Sequence, residues 1–166
     1  MLIDCSYFTK GSRHIQNATI GTVPNPNAVE VNAAIGAYIR ENQERFLVRM
    51  LGERFGSRMN DYLMRLEEDE NPRHNTKFDE VLSHLREPFA DYVLFYILRD
   101  SNTQSTITGL VRLKNSNEYI APISRQVRVW NSMVDKNRAF DRWCEVHIRR
   151  SYVDEDMLTK INIFNL

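Results

Sequence analysis

Between Pro88 and Leu98 the chain reads PFADYVLFYIL, and from Phe89 onward Asp91 is the one polar residue in the run. An α-helix that is apolar nearly all the way round has no face to offer water and belongs inside a core. The run is also well short of the roughly 20 apolar residues that span a bilayer. A mainly helical domain packed around this segment follows. The 166 residues fit one domain, and a chain of this size buries roughly 70% of its unfolded surface without needing a disulfide or metal staple.

The 22 basic and 22 acidic side chains cancel, which argues against a binder held to nucleic acid or a membrane surface by net field. Locally the balance is uneven. Residues 64–91 hold eight acidic and four basic side chains, including EEDE at 67–70, whereas residues 123–150 hold seven basic and three acidic ones. Cys5 and Cys144 are too few and too far apart for a disulfide framework or a zinc site, so a reducing compartment is the default. The opening MLIDCSYFTKGSR lacks a basic stretch followed by an apolar one, so synthesis and function without export are expected.

Residues 2–8, LIDCSYF, are β-compatible and run into a segment rich in Gly, Pro, Asn and Thr, which predicts a short strand or extended arm followed by an irregular connector, an N-terminal arm over 1–27. Asn27, with Glu30 in the capping-box position, predicts a helix over 28–42. Asn42 then repeats the capping pattern for a second short helix ending at Gly52, and a third runs from 53 to 67. Pro72 marks a turn. Asn75 or Thr76 caps the next helix, which Pro88 should break or kink near Glu87 before the core segment begins.

From Ser101 to Asn117 helical periodicity is absent, and STITGLVRLKN at 105–115 reads as extended, placing Ile107, Val111 and Leu113 on one face and Leu110 and Arg112 on the other. Such a strand must pair with something: itself as a hairpin, residues 2–8, or a strand of a neighbouring subunit. Pro122 opens a long helix to about 153, with Ile123, Val127, Trp130, Met133, Val134, Phe140, Cys144 and Ile148 on its core face. Its other face carries Arg125, Arg128, Arg142, Arg149 and Arg150, with Trp143 and Val146 among them. The tail, 157–166, ends in NIFNL at 162–166, whose Ile163 and Phe164 are apolar and terminal, so it either docks or frays. The expected architecture is therefore mainly α: a bundle of about five helices over 28–156, an extended β segment near 105–115 within an insertion at 101–118, an arm and a tail.

His14, His74, His84 and His147 stand singly, with no HExxH and no Cys cluster, so no metal or cofactor is expected. GERFG at 52–56 lacks the Lys-Ser/Thr of a phosphate loop, and there is no GxSxG elbow. No catalytic residues are assigned and no enzyme is expected. The arginine face with Trp143 suits phosphate contact and base stacking, a solvated surface, or an acidic patch such as 67–70 on a second copy.

Three stretches, FLVRMLG at 46–52, FADYVLFYILRDSNTQSTITGLVRLKNSNEYIAP at 89–122 and VRVWNSMVDK at 127–136, together resemble a group of short helical proteins from the structural gene blocks of tailed phages of Bacteroides-type bacteria, crAss-like phages included. The likeness spans about 28–150 and rests on order and spacing, not on a chemically diagnostic motif. Those proteins are read as head-to-tail connector or adaptor subunits. The resemblance implies a ring of twelve copies beneath the portal, extending the DNA channel and contacting tail or further neck proteins. It implies a virion neck protein made in the host cytoplasm, touching DNA non-specifically and no membrane. Ile107, Leu110, Val111, Arg112, Leu113, Trp143, Val146, Ile163 and Phe164 are the expected subunit or partner contacts. Arg125, Arg128, Arg142, Arg149 and Arg150 are expected to meet DNA or an acidic partner. The alternative is a small DNA-binding or packaging accessory protein using the basic face of the last helix.

Overall fold

A computed structural model describes residues 1–20, 25–103 and 122–165. These form a bundle of four α-helices: α1 Pro26–Leu51, α2 Glu53–Glu68, α3 Thr76–Thr103 and α4 Pro122–His147. Short 3-10 turns lie at Cys5–Phe8, Gly11–Arg13, Glu155–Leu158 and Ile163–Asn165. The expected segment at 105–115, with Ile107, Leu110, Val111, Arg112 and Leu113, lies outside the described residues.

The core segment is where its composition requires. Every residue from Phe89 to Leu98 is at most 7% exposed. Phe46 of α1 meets Phe89 and Tyr92 at ring centroid distances of 5.0 and 5.2 Å, and Phe95 meets Trp130 of α4 at 4.8 Å. Helices α1 and α2 run antiparallel, with Gln43 bonded to Asn60 and Gly56 against Val48. Helices α3 and α4 are also antiparallel, since Asp91 reaches Ser132 while His84 stacks on Trp143. The ends of α1 and α4 therefore sit together with the start of α3.

The helix boundary expected at Asn42 does not exist, and of the break or kink expected at Pro88 the break does not occur, so α1 and α3 are each a single helix. Asn42 is not a cap: its Nδ2 donates to the Tyr38 carbonyl at 2.9 Å inside an unbroken α1. Ile35, Ile39, Phe46, Leu47 and Met50 form one buried stripe across the supposed boundary, and that stripe carries the helix through. The true N-cap of α1 is Asn25, whose side chain accepts from the Asn27 amide, with Pro26 in the first turn. Pro88 lies within α3 without ending it. Proline inside a helix costs about 3 kcal/mol, whereas each buried Leu, Val or Phe contributes about 1.5–3 kcal/mol. Val81, Leu82, Leu85, Phe89 and Tyr92 are all buried around it, so continuity wins.

The N-terminal segment is no strand over its first eight residues. The Asp4 side chain accepts from the Ser6 amide at 2.8 Å and starts a 3-10 turn instead. Leu2, Ile3, Phe8 and Ile15 are buried in the core, so residues 1–20 pack as part of the bundle instead of reaching out as an arm. The Leu2 amide donates to Gln43 Oε1 at 2.6 Å, and Gln43 Nε2 to Asn60 Oδ1 at 2.8 Å, which satisfies a buried polar chain across three elements.

The last helix is shorter than its periodicity predicts. α4 ends at His147, and Arg149 turns the chain at φ 60°. Ile148 therefore leaves the core stripe and is 43% exposed, and Ile123 at the other end is 45% exposed.

Candidate interaction surfaces

Polar side chains of the helices anchor the segments that flank the bundle. Asp91 is 5% exposed at its side chain and receives Arg13 Nε at 2.5 Å, Ser132 Oγ at 3.0 Å and the Lys136 ammonium. Arg13 also pairs with Glu87 at 2.5 Å, so two cations and two carboxylates balance at the junction of the N-terminal segment, α3 and α4. Burial works to lower the Arg13 pKa, and its bonds and charges with Asp91 and Glu87 outweigh that, holding the guanidinium above its ordinary value. The same solitary polarity that stood out in the sequence is thus a buried ion cluster.

Arg125 does not belong to a free basic face. It is half-buried and its Nη2 donates to the carbonyls of Ser12 and His14, each at 3.2 Å, pinning the N-terminal segment to α4. Burial and the neighbouring Arg128 charge push its pKa down. Nor is Trp143 an open stacking platform. Its ring lies 4.5 Å from His84 and 4.9 Å from His147, and 5.9 Å from Phe140. The indole is half-buried among these rings, which leaves little of it for a base.

Arg128, Arg142, Arg149 and Arg150 are exposed. Beside the last three are apolar side chains that the bundle does not cover: Val146 at 73%, Tyr152 at 50% and Ile148 at 43% exposed. Arg150 lies over the Tyr152 ring, 4.6 Å from its centroid, and Tyr152 packs against Gly52 at the α1–α2 junction. The end of α4 therefore presents apolar surface rimmed by guanidinium groups.

Past that end the chain doubles back along α4. Asn137 Nδ2 donates to the Met157 carbonyl, Trp130 Nε1 to that of Thr159, and Asn131 bonds both the carbonyl and the amide of Ile161. Met157 is fully buried. Part of the VRVWNSMVDK stretch thus holds the tail in place. Beyond this strap Ile163 is 56% and Phe164 97% exposed, toward the start of α4.

Arg49 fastens the start of the strap, with Nε 2.9 Å from Asp154 and its carbonyl accepting from the Asp154 amide at 2.8 Å. Burial raises the Asp154 pKa, and the bonds from Arg49 and from the Asp156 amide, together with the Arg49 charge, more than reverse that, so the carboxyl titrates below its ordinary range. A depressed folded pKa adds stability above the unfolded value and loses it as pH falls through the folded one. Acidification below the usual carboxylate range should therefore loosen the strap first. Trp130 fluorescence, through its bond to Thr159, should report the change, and Asp154→Asn should flatten the profile. A profile identical in both proteins would remove Asp154 from the account.

A cleft of about 470 Å³ opens between the N-terminal segment, α2 and α3, with Leu2, Leu63 and Leu82 beside Asp4, Glu67, His74, Asp79 and Arg86. Its His74–Asp79–Tyr62 chain is a latch for the α2–α3 turn. Tyr62 Oη donates to Asp79 at 2.8 Å and accepts from the Asn75 amide at 2.8 Å, and burial raises the Tyr62 pKa. His74 Nδ1 lies 3.2 Å from Asp79. These groups serve one another. Among the described residues no helix is long and apolar enough to cross a membrane.

No protein-family model, curated protein or solved structure matches the chain. The chemistry of its surface carries the functional reading.

Proposed function

We propose that this chain is a structural subunit of a tailed-phage virion, a head-to-tail connector that assembles as a ring beneath the portal and extends the DNA channel. One observation carries the reading. The bundle closes its own core around Phe46, Phe89 and Tyr92, yet Val146, Ile148, Tyr152, Ile163 and Phe164 stay exposed in two short stretches. Exposed apolar surface rimmed by charge is the mark of a surface awaiting a partner. The resemblance of residues 28–150 to phage adaptor proteins supplies the kind of partner: further copies, twelve in a ring, with the portal above and tail or neck proteins below. DNA passes through such a ring without being read.

A second reading, a small DNA-binding or packaging accessory protein, draws support from the exposed Arg128, Arg142, Arg149 and Arg150. Arg125 and Trp143, engaged within the subunit, weaken it. Electron microscopy of the chain mixed with portal particles of its own phage separates the readings. The connector reading expects added ring density on the portal. Bare portals together with duplex-DNA binding that falls steeply with salt would favour the accessory protein.

A further inference from the structure

We infer that the arginine-rimmed end of α4 docks onto the acidic end of α2 in a second copy of the chain. The inference rests on the connector reading and names the contact between adjacent subunits. On one side stand Val146 and Tyr152, exposed and flanked by Arg142, Arg149 and Arg150. Against Glu145, those three arginines leave residues 142–152 a net charge of +2 with His147 neutral.

The other side is built with the opposite sign. Met64 of α2 is 48% exposed, and Glu67, Glu68, Asp69 and Glu70 follow it, all exposed. With Arg73, residues 67–73 carry a net charge of −3. Carboxylates at this place are not explained by the helix. Glu67 already pairs with the Met1 ammonium at 2.6 Å, but Glu68 stands unpaired in a last turn that bears partial negative charge of its own, which raises the local energy and favours an incoming cation. Glu68 and Glu70 have no ion-pair partner among the described residues. An exposed methionine beside carboxylates thus complements an exposed valine and tyrosine beside guanidinium groups, in charge and in apolar character.

The two patches cannot satisfy each other within one molecule. Tyr152 lies by Gly52, just ahead of α2, whereas the acidic patch is at the far end of that helix. At 1.5 Å per residue, the 16 residues of α2 separate them by about 24 Å. Contact between unlike patches on two copies is heterologous, and it closes into a ring when the rotation allows.

Charge reversal tests the contact by light scattering at matched concentration, with circular dichroism as the check on folding. Arg149→Glu with Arg150→Glu, and separately Glu68→Lys with Glu70→Lys, should each weaken self-association by roughly tenfold or more. The four substitutions combined restore opposite signs and should recover assembly. Wild-type assembly that both double variants retain overturns this interface and leaves the connector reading standing. A wild-type chain that stays monomeric at every concentration also overturns the interface, and the portal experiment then decides the connector reading independently.

Discussion

Replacing Asp91 with alanine should destabilise the fold by about 3 kcal/mol, a large share of the roughly 5–15 kcal/mol that holds a domain together. The carboxylate is the shared acceptor for Arg13, Lys136 and Ser132. Without it the Arg13 guanidinium, 15% exposed, keeps Glu87 but loses its buried partner, and Lys136 keeps only the Ser132 hydroxyl at 3.2 Å. Removing one member of a buried ion cluster costs far more than the net worth of the cluster, because the remaining charges stay desolvated. Lys136, at 34% exposed, recovers some hydration, which places the effect toward the lower part of the range for such truncations. Urea denaturation measures it directly. A change under about 1 kcal/mol would mean that the cluster is effectively solvated. The N-terminal segment should loosen together with the bundle, since Arg13 is its ionic anchor.

Gly56→Ala should destabilise the protein even though alanine is the better helix former. A Cβ at this position would lie 2.5 Å from Val48 Cα, 2.6 Å from Val48 N and 2.7 Å from the Leu47 carbonyl carbon. All three are backbone atoms, so relief requires α1 and α2 to move apart. Overpacking of this kind costs about 1–3 kcal/mol or more, against a gain of about 1 kcal/mol in helix propensity. The clash should win by roughly 2 kcal/mol. Gly36→Ala supplies the opposite sign. There the nearest atom to a new Cβ is Arg40 Nη1 at 3.5 Å, an ordinary contact with a flexible side chain. That variant should gain up to about 1 kcal/mol. Thermal unfolding of the pair should move in opposite directions. A stabilised Gly56→Ala protein would contradict the close approach of the two helices.

The contrast between these glycines shows what a linear reading can and cannot reach. The core position of 88–98 was legible because a helix apolar on every side has one environment open to it. Asn42 does not cap a helix and Pro88 does not end one because capping and breaking signals are local, worth about one to three kcal/mol, while the stripes that override them are set by packing against other helices. LIDCSYF has side chains that suit a strand, yet its burial comes through a turn that Asp4 caps. Asp91 announced itself as the lone polar residue of its run, but its partner Arg13 is 78 residues away and nothing local points to it. Arg125 shares a helix face with the solvent-facing arginines, and nothing local sets it apart because its acceptors are backbone carbonyls of Ser12 and His14, which carry no residue signature. Where the tail docks is hidden for the same reason, since Trp130, Asn131 and Asn137 bond its backbone carbonyls. Val146 was legible as off the core face, whereas the exposure of Ile148 depends on where α4 stops, one residue earlier.

The central claim is that this subunit carries surface that only another macromolecule completes. Sedimentation velocity on the chain, alone over a range of concentrations and then with portal particles, tests it most directly. The account predicts that protein leaves the 19.6 kDa boundary for a species about twelve times that mass, or cosediments with the portal. Protein that stays at the 19.6 kDa boundary in both experiments would contradict it.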